Sequence, residues 1–225
     1  LSDGKLELKY MTTREEDILM SENLIKKGVV IDKLLDSLIV TKNISQKDLV
    51  LGDKNAVLVA ARILAYGPEY VVELTDPNDV EQKMEHTFDL SKCPFKELPE
   101  DVDYSNNLFE YTTPVGKNKI KFSLLTGKEE AMILKDIDRS RKVGYNTDIT
   151  TRLRYTIKEV DGDSKVDTIN EFSQNMLARD SAALRNYIRD ISPDIDLTSE
   201  VEIGGQTVSV SIPLTVEFFW PKSLQ

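Results

Sequence analysis

The chain holds a single histidine, His86, and a single cysteine, Cys93, seven residues apart. A thiol with an imidazole beside it is a potential nucleophile, so this pair is where covalent catalysis would be sought first. His86 falls inside a strand pattern and Cys93 precedes Pro94. Neither sits in a nucleophile elbow or beside an oxyanion-hole sequence, so both read as packing residues. Zinc takes about four Cys, His or carboxylate ligands, and one Cys with one His falls short of that. Asp101/Asp103, Asp161/Asp163 and Asp194/Asp196 have the alternation of calcium ligands, but none lies in a twelve-residue loop closing on Glu. Aspartate at that spacing builds turns and caps. Gly204-Gly205-Gln206 spells the tripeptide that release factors use for peptide release, yet it lies between two β patterns, where Gly-Gly is a hairpin turn. No phosphate-binding glycine loop occurs. The expectation is no catalytic residue, no metal and no cofactor, which moves weight from enzyme toward binding or assembly.

The remaining residues with chemistry to offer are cations and aromatics. Arg185 and Arg189 are four apart on one face of a helix pattern, either a solvated face or an ion-pairing surface for an acidic partner. The chain closes on Phe218-Phe219-Trp220-Pro221, which contains its only tryptophan. Adjacent aromatics gain about 1.5–3 kcal/mol each by burial. They either close the chain's own core or anchor it to a neighbour. Phe218 is expected inside, and Phe219, Trp220, Pro221, Arg185 and Arg189 are the candidate partner-docking residues.

Net charge is -10 with a pI near 4.8. That field repels nucleic acid and anionic membrane, and no basic cluster interleaved with aromatics offsets it. No apolar run approaches the roughly 18–20 residues of a membrane span. The opening LSDGKLELKY reads as neither a signal nor a transit peptide. One cysteine excludes an intrachain disulfide and fits a reducing compartment.

Positioning these groups requires an α+β fold: N-terminal helices, a small antiparallel β region, central helices with a β-hairpin, and a C-terminal β-hairpin. Residues 12–66 read as helical. Thr12…Glu15 and Thr13…Glu16 both have capping-box spacing. Val30, Leu34, Leu35 and Leu38 make one apolar face of a helix over 29–39. A third helix is expected with Asp53 as N-cap and Ala56, Val57, Ala60, Ala61 and Leu64 as a close-packing stripe, stopped by Tyr66-Gly67-Pro68. Strands are expected over 70–75 and 85–90 around the Asp76-Pro77-Asn78-Asp79 turn. Residues 91–117 read as irregular, and Ile120, Phe122 and Leu124 as one face of a strand. Thr126…Glu129 opens a helix to about Lys142. Alternation of Leu153, Tyr155 and Ile157 before Asp161-Gly162 predicts a hairpin. Helices follow with Ile169, Phe172 and Met176, then Ala183, Leu184, Tyr187, Ile188 and Ile191, on their inner faces. The last hairpin pairs 200–203 with Val208, Val210 and Ile212 across Gly204-Gly205. Three regions result: a helical region 1–67, a small β region 68–125, and a helical region with two hairpins 126–225, the last two open to forming one compact unit.

Several stretches together resemble a known family. They are Met11-Thr12-Thr13-Arg14-Glu15-Glu16-Asp17-Ile18-Leu19; Gly28-Val29-Val30-Ile31-Asp32-Lys33-Leu34-Leu35; Gly52-Asp53-Lys54 with Arg62 and Tyr66-Gly67; Ala178-Arg179-Asp180-Ser181 with Leu184-Arg185 and Tyr187-Ile188; and Phe218-Phe219-Trp220-Pro221. In this order and spacing, over about residues 10–221, the chain resembles the baseplate proteins of T-even-type contractile-tailed bacteriophages. The resemblance implies a structural protein of the tail baseplate, in the hub or wedge region, without catalytic activity. Its partners would be other phage baseplate and tail proteins, in multiple copies within a symmetric assembly. It would reside in the virion tail, and in the host cytoplasm during assembly. The alternative is a transient assembly chaperone for a tail or hub protein, absent from the mature virion. Relatives carry Cys-x-x-Cys pairs at two hairpins, where this chain has Thr75-Asp76-Pro77-Asn78 and Ile203-Gly204-Gly205-Gln206. Packing and turn geometry are therefore expected to hold those hairpins, without metal.

Overall fold

The computed structural model describes residues 5–76 and 78–220. In chain order the elements are α1 (Thr13–Leu19), α2 (Glu22–Lys26), α3 (Val30–Leu38), α4 (Leu51–Tyr66), β1 (Glu69–Asp76), β2 (Asp79–Asp89), β3 (Phe109–Thr112), β4 (Lys119–Phe122), α5 (Gly127–Lys142), α6 (Asp148–Thr156), β5 (Ile157–Val160), α7 (Val166–Asn175), α8 (Ala178–Ile191), β6 (Thr198–Ile203) and β7 (Gln206–Ser211). The architecture is α+β. The strands form three small antiparallel sheets, β1-β2, β3-β4-β5 and β6-β7.

Two compact units emerge, neither continuous in sequence. Among the described residues, a terminal unit combines 5–46, 52–96 and 194–220; a central unit contains 47–51 and 97–193. In the terminal unit, the first segment is tied behind α3 by Lys9 N–H to Leu38 O (2.9 Å) and Val40 N–H to Glu7 O (3.0 Å). The late segment joins through a Phe95–Ile195 bridge, with Lys96 N–H donating to Asp194 O (2.9 Å) and Asp196 N–H to Pro94 O (2.8 Å). Backbone pairing thus unites residues a hundred positions apart. The expected α3 face, Val30, Leu34, Leu35 and Leu38, is buried and shares a core with Leu58, Phe88, Val201, Ile212, Phe218 and Phe219. The β6-β7 turn is Gly204-Gly205, with φ of +58° and +78°, the left-handed region that a two-residue hairpin demands.

The central unit packs α5–α8 with the β3-β4-β5 sheet. Ile120, Phe122 and Leu124 are buried there with Phe109, Leu153, Ile157, Leu184 and Ile191. Thr126 and Glu129 form the expected capping box of α5. Val50 bridges to Thr126, and Gly127 N–H donates to Leu49 O at 3.0 Å, so residues 47–51 brace the start of α5.

Four expectations change. Of the hairpin expected from Leu153, Tyr155 and Ile157 only the Asp161-Gly162 turn forms, with Val160 and Asp163 exchanging both backbone bonds at 2.9 Å. Residues 148–156 are α6, and the strand after it pairs with β4. Thr151 and Thr156 are buried in α6 beside Leu153, and threonines are invisible to an apolar pattern. Within 91–117, β3 is a strand. Only four residues long, it is made by its pairing with β4 (Phe109 opposite Phe122) rather than by its own pattern. Asp53 does not cap α4; the helix begins at Leu51, and Asp53 lies in its first turn. The buried face of α4 is Leu58, Val59, Ala61 and Arg62, while Leu64 is exposed. So many residues of that helix are apolar that periodicity cannot orient it. Of the first expected turn, Pro77 lies outside the described residues.

Candidate partner-docking surface

The groups with chemical potential are mostly committed to internal contacts. His86, on β2, lays its ring edge-on against Phe88 at 4.7 Å. The Cys93 thiol points at Asp89 O at 4.0 Å. Burial pushes this thiol up, and the Asp196 and Asp89 carboxylates add to the shift, the opposite of what an activated nucleophile needs. The paired aspartates make turns. Asp103 accepts Ser105 N–H (2.8 Å), Asp163 accepts Lys165 N–H (2.9 Å), and Asp196 accepts Thr198 N–H (2.8 Å). Asp161 accepts Asn118 Nδ2 and Lys119 N–H, both at 2.8 Å. Among the described residues, no group of three or more His, Cys, Asp or Glu is placed to hold a metal ion. At the two hairpin turns named by the resemblance, Gln206 Nε2 donates to Asn78 Oδ1 at 3.4 Å. The two turns therefore meet, through a side-chain amide pair.

The C-terminal aromatics divide. Val216–Phe219 is a short 3-10 helix, and Phe218 and Phe219 are both 0 % exposed. Their rings meet edge-to-face at 5.4 Å, and Tyr70 lies 5.1 Å from Phe218. Phe219 is therefore corrected: surrounded by its own unit, it offers a partner no surface. Trp220 is half-buried at the rim of the same core. Pro221 lies outside the described residues. The segment is locked by a residue to which sequence reasoning assigned no role. Arg62, 2 % exposed, donates from Nε to Phe218 O (3.1 Å) and from Nη1 to Gly67 O (3.2 Å). Its guanidinium lies 4.9 Å from the centre of the Tyr66 ring and 5.8 Å from that of Tyr70. Burial lowers the Arg62 pKa, with Tyr66 and Tyr70 opposing. Tyr66 is itself pushed up to about 12 by burial and by donating to Glu16 Oε1 at 3.0 Å. The one signal available in sequence was a lone arginine within the apolar run 56–65, just before an aromatic-glycine stop.

Other motif residues point inward in the same way. Glu15, completely buried, accepts from Thr12 N–H (2.9 Å), Thr12 Oγ1 (2.7 Å), Ser37 Oγ (2.6 Å) and Lys9 Nζ (2.8 Å). Asp180, buried at the start of α8, accepts Val115 and Gly116 N–H, each at 2.8 Å, and so pins the loop after β3. Arg185 and Arg189 are exposed on α8: Arg185 Nε donates to Ser181 O (3.2 Å), and Arg189 pairs with Asp190 at 3.5 Å.

A concavity of about 490 Å³ lies on the central sheet, lined by Glu110, Tyr111, Lys119, Lys121, Glu159 and Asp161 among others. Lys121 bonds Glu159 across it at 2.9 Å, so its charges are largely answered from within. No helix of the described residues is long and apolar enough to cross a membrane.

No curated protein and no solved structure matches the chain. A family model described as T4 bacteriophage base plate protein matches residues 1–220, nearly the whole length and every motif quoted above up to Trp220. The chain belongs to the T4 bacteriophage base plate protein family.

Proposed function

We propose that the chain is a permanent structural subunit of a contractile-tail baseplate, working through protein–protein interfaces and without catalysis of its own. The observation that carries this reading is the fate of the motif residues. Glu15, Arg62, Asp180 and Phe218 are all consumed in holding their own units together. A subunit needs rigid bodies with defined faces more than it needs a pocket. Trp220 and the exposed Arg185 and Arg189 are its docking elements at the C-terminal rim and on α8. Their support is residue type, with exposure for the two arginines and a rim position for Trp220, since tryptophan and arginine dominate interface hot spots. Its partners are other baseplate or tail proteins, in several copies, assembled in the host cytoplasm.

The test is mass spectrometry of purified, DNA-filled particles, with abundance measured against the sheath protein. A fixed small ratio is the expected result. Presence in infected-cell lysate but not in particles would overturn it in favour of a transient assembly factor. For the docking elements, Trp220→Ala is expected to lower incorporation without changing the melting temperature. A large loss of stability with normal incorporation of the remaining folded chain would make Trp220 a packing residue alone.

A further inference from the structure

The connection between α5 and α6 is built as a rigid tip, and its side chains face outward. Gly144, at φ +86°, follows α5; its N–H donates to Arg141 O (3.0 Å) while Tyr145 N–H reaches back to Ser140 O (3.0 Å). This is the Schellman pattern, which ties off a helix end in one conformation. Across the tip, Arg141 Nη2 grips Asp148 Oδ2 at 3.0 Å, and Thr151 N–H donates to Thr147 O at 2.8 Å at the start of α6. Arg152–Glu130 (2.7 Å) and Arg154–Asp136 (3.7 Å) join the two helices further down.

On this fixed backbone Val143 is 67 % exposed, Tyr145 70 % and Ile149 49 %. In a Schellman turn the residue in the Tyr145 position commonly folds back on an apolar residue of its own helix. Here the positions it would cover are Ser140 and Arg139, and the ring stays in water. Charge sets the tip apart as well. Residues 127–158 hold eight basic and five acidic side chains, net +3, in a chain of net -10. Arg139, Arg141 and Lys142 fill the last turn of α5 before Val143, with Arg139 near Asp136 at 3.7 Å and Arg141 held by Asp148.

The geometry points to the α5–α6 tip as an interaction surface for an acidic patch on another baseplate protein, with Tyr145 as its aromatic anchor. An apolar centre with a cationic rim is the ordinary anatomy of such a contact, and tyrosine and arginine are its characteristic hot-spot residues. The ordered backbone spares the entropy of fixing a loop on binding. Charge complementarity chooses the occupant. The rim attracts an acidic protein surface at short range, while the acidic remainder of the chain repels an extended polyanion such as DNA.

The inference rests on the proposed baseplate role, and one experiment separates the two. Baseplate intermediates assembled from the other baseplate proteins of the same phage, without this chain, are titrated with full-length chain, with Tyr145→Ser and with Arg139→Glu/Lys142→Glu. Unchanged melting temperatures certify the folds. The expected result is saturable binding by the parent, weakening as salt rises, and at least tenfold weaker binding by each variant. Equal binding by all three overturns the tip and leaves the baseplate role standing. No binding by the parent overturns both. If the variants instead lose only self-association in equilibrium sedimentation, the occupant is a second copy, and if they lose only retention of duplex DNA, it is a polyanion; either outcome overturns the proposal.

Discussion

Both units begin a helix with the same four-residue device, yet the two copies carry different weight. In the terminal unit Thr12 and Glu15 cap α1; in the central unit Thr126 and Glu129 cap α5. The carboxylate of each accepts its threonine's N–H and hydroxyl, at 2.9 and 2.7 Å in α1 and at 2.8 Å twice in α5. The Glu15 side chain is 0 % exposed and also bound by Lys9 and Ser37, whereas that of Glu129 is 22 % exposed with Lys158 at 3.2 Å. The local signal is the same; enclosure makes one cap a fully buried carboxylate and leaves the other partly exposed. The same contrast runs through the units at large. The terminal unit draws Arg62, Phe218 and Phe219 inward while Tyr10 and Phe95 stay exposed, and the central unit leaves Val143 and Tyr145 at an exposed tip.

The largest way to sharpen this contrast is to cut into the aromatic core. Phe219→Ala is expected to cost about 3–5 kcal/mol in denaturant unfolding, read by the fluorescence of the sole tryptophan, Trp220, whereas Tyr145→Ser should stay within about 0.5 kcal/mol. A mild Phe219→Ala would mean that the C-terminal segment is not part of the core. Next is Arg62→Ala, which strands two carbonyls and removes a cation from two tyrosine faces; a loss of about 3 kcal/mol is expected. Arg62→Lys should recover only part of it, since an ammonium cannot reproduce the planar fork. Full recovery would show that charge alone matters.

In the central unit, Asp180→Ala leaves the Val115 and Gly116 N–H groups without their acceptor and should cost about 1.5–3 kcal/mol by calorimetry. A neutral result would mean that water replaces the carboxylate, so that both units tolerate loss of a buried anion differently from what enclosure predicts. The smallest effect is in pH. Burial alone would raise the Glu15 pKa, but Lys9, Ser37 and Thr12 overcome it and hold this carboxyl well below its ordinary 4.5. Glu129 is lowered too, burial being outweighed by Thr126 and Lys158. A depressed folded-state value means stability present above about pH 4.5 and lost as pH falls through the folded-state value. Glu15→Gln should flatten that acid limb more than Glu129→Gln does. Equal slopes would erase the distinction between the two caps.

Much of the fold was legible because local patterns coincided with what became buried. The α3 face, the strand with Ile120 and Phe122, the Thr126 cap and the glycine hairpin turn each combine a short-range pattern with the partner that pattern needs. Where burial fell on residues without an apolar signature, sequence reasoning failed. Thr151 and Thr156 turned an expected strand into α6, and Arg62 took a place on the inner face of α4. Phe219 was expected to face a partner, because three adjacent aromatics cannot show which of them points inward. The turn roles of Asp103, Asp163, Asp194 and Asp196 were readable, since each bonds a backbone N–H one or two residues away, whereas Asp161 binds Asn118 and Lys119 far along the chain.

Residue types and their short-range periods by themselves determined the α+β class, most helix and strand positions and the turn chemistry. Each depends on interactions spanning a few residues. Tertiary structure alone decided that residues 94–96 pair with 194–196, that Arg62 holds the Phe218 carbonyl, that Asp180 pins a loop some 64 positions earlier, and which aromatics are enclosed. The physical reason is that desolvation is set by all neighbours in space. The same glutamate, arginine or phenylalanine is a cap, a cation or an anchor until the rest of the chain closes over it.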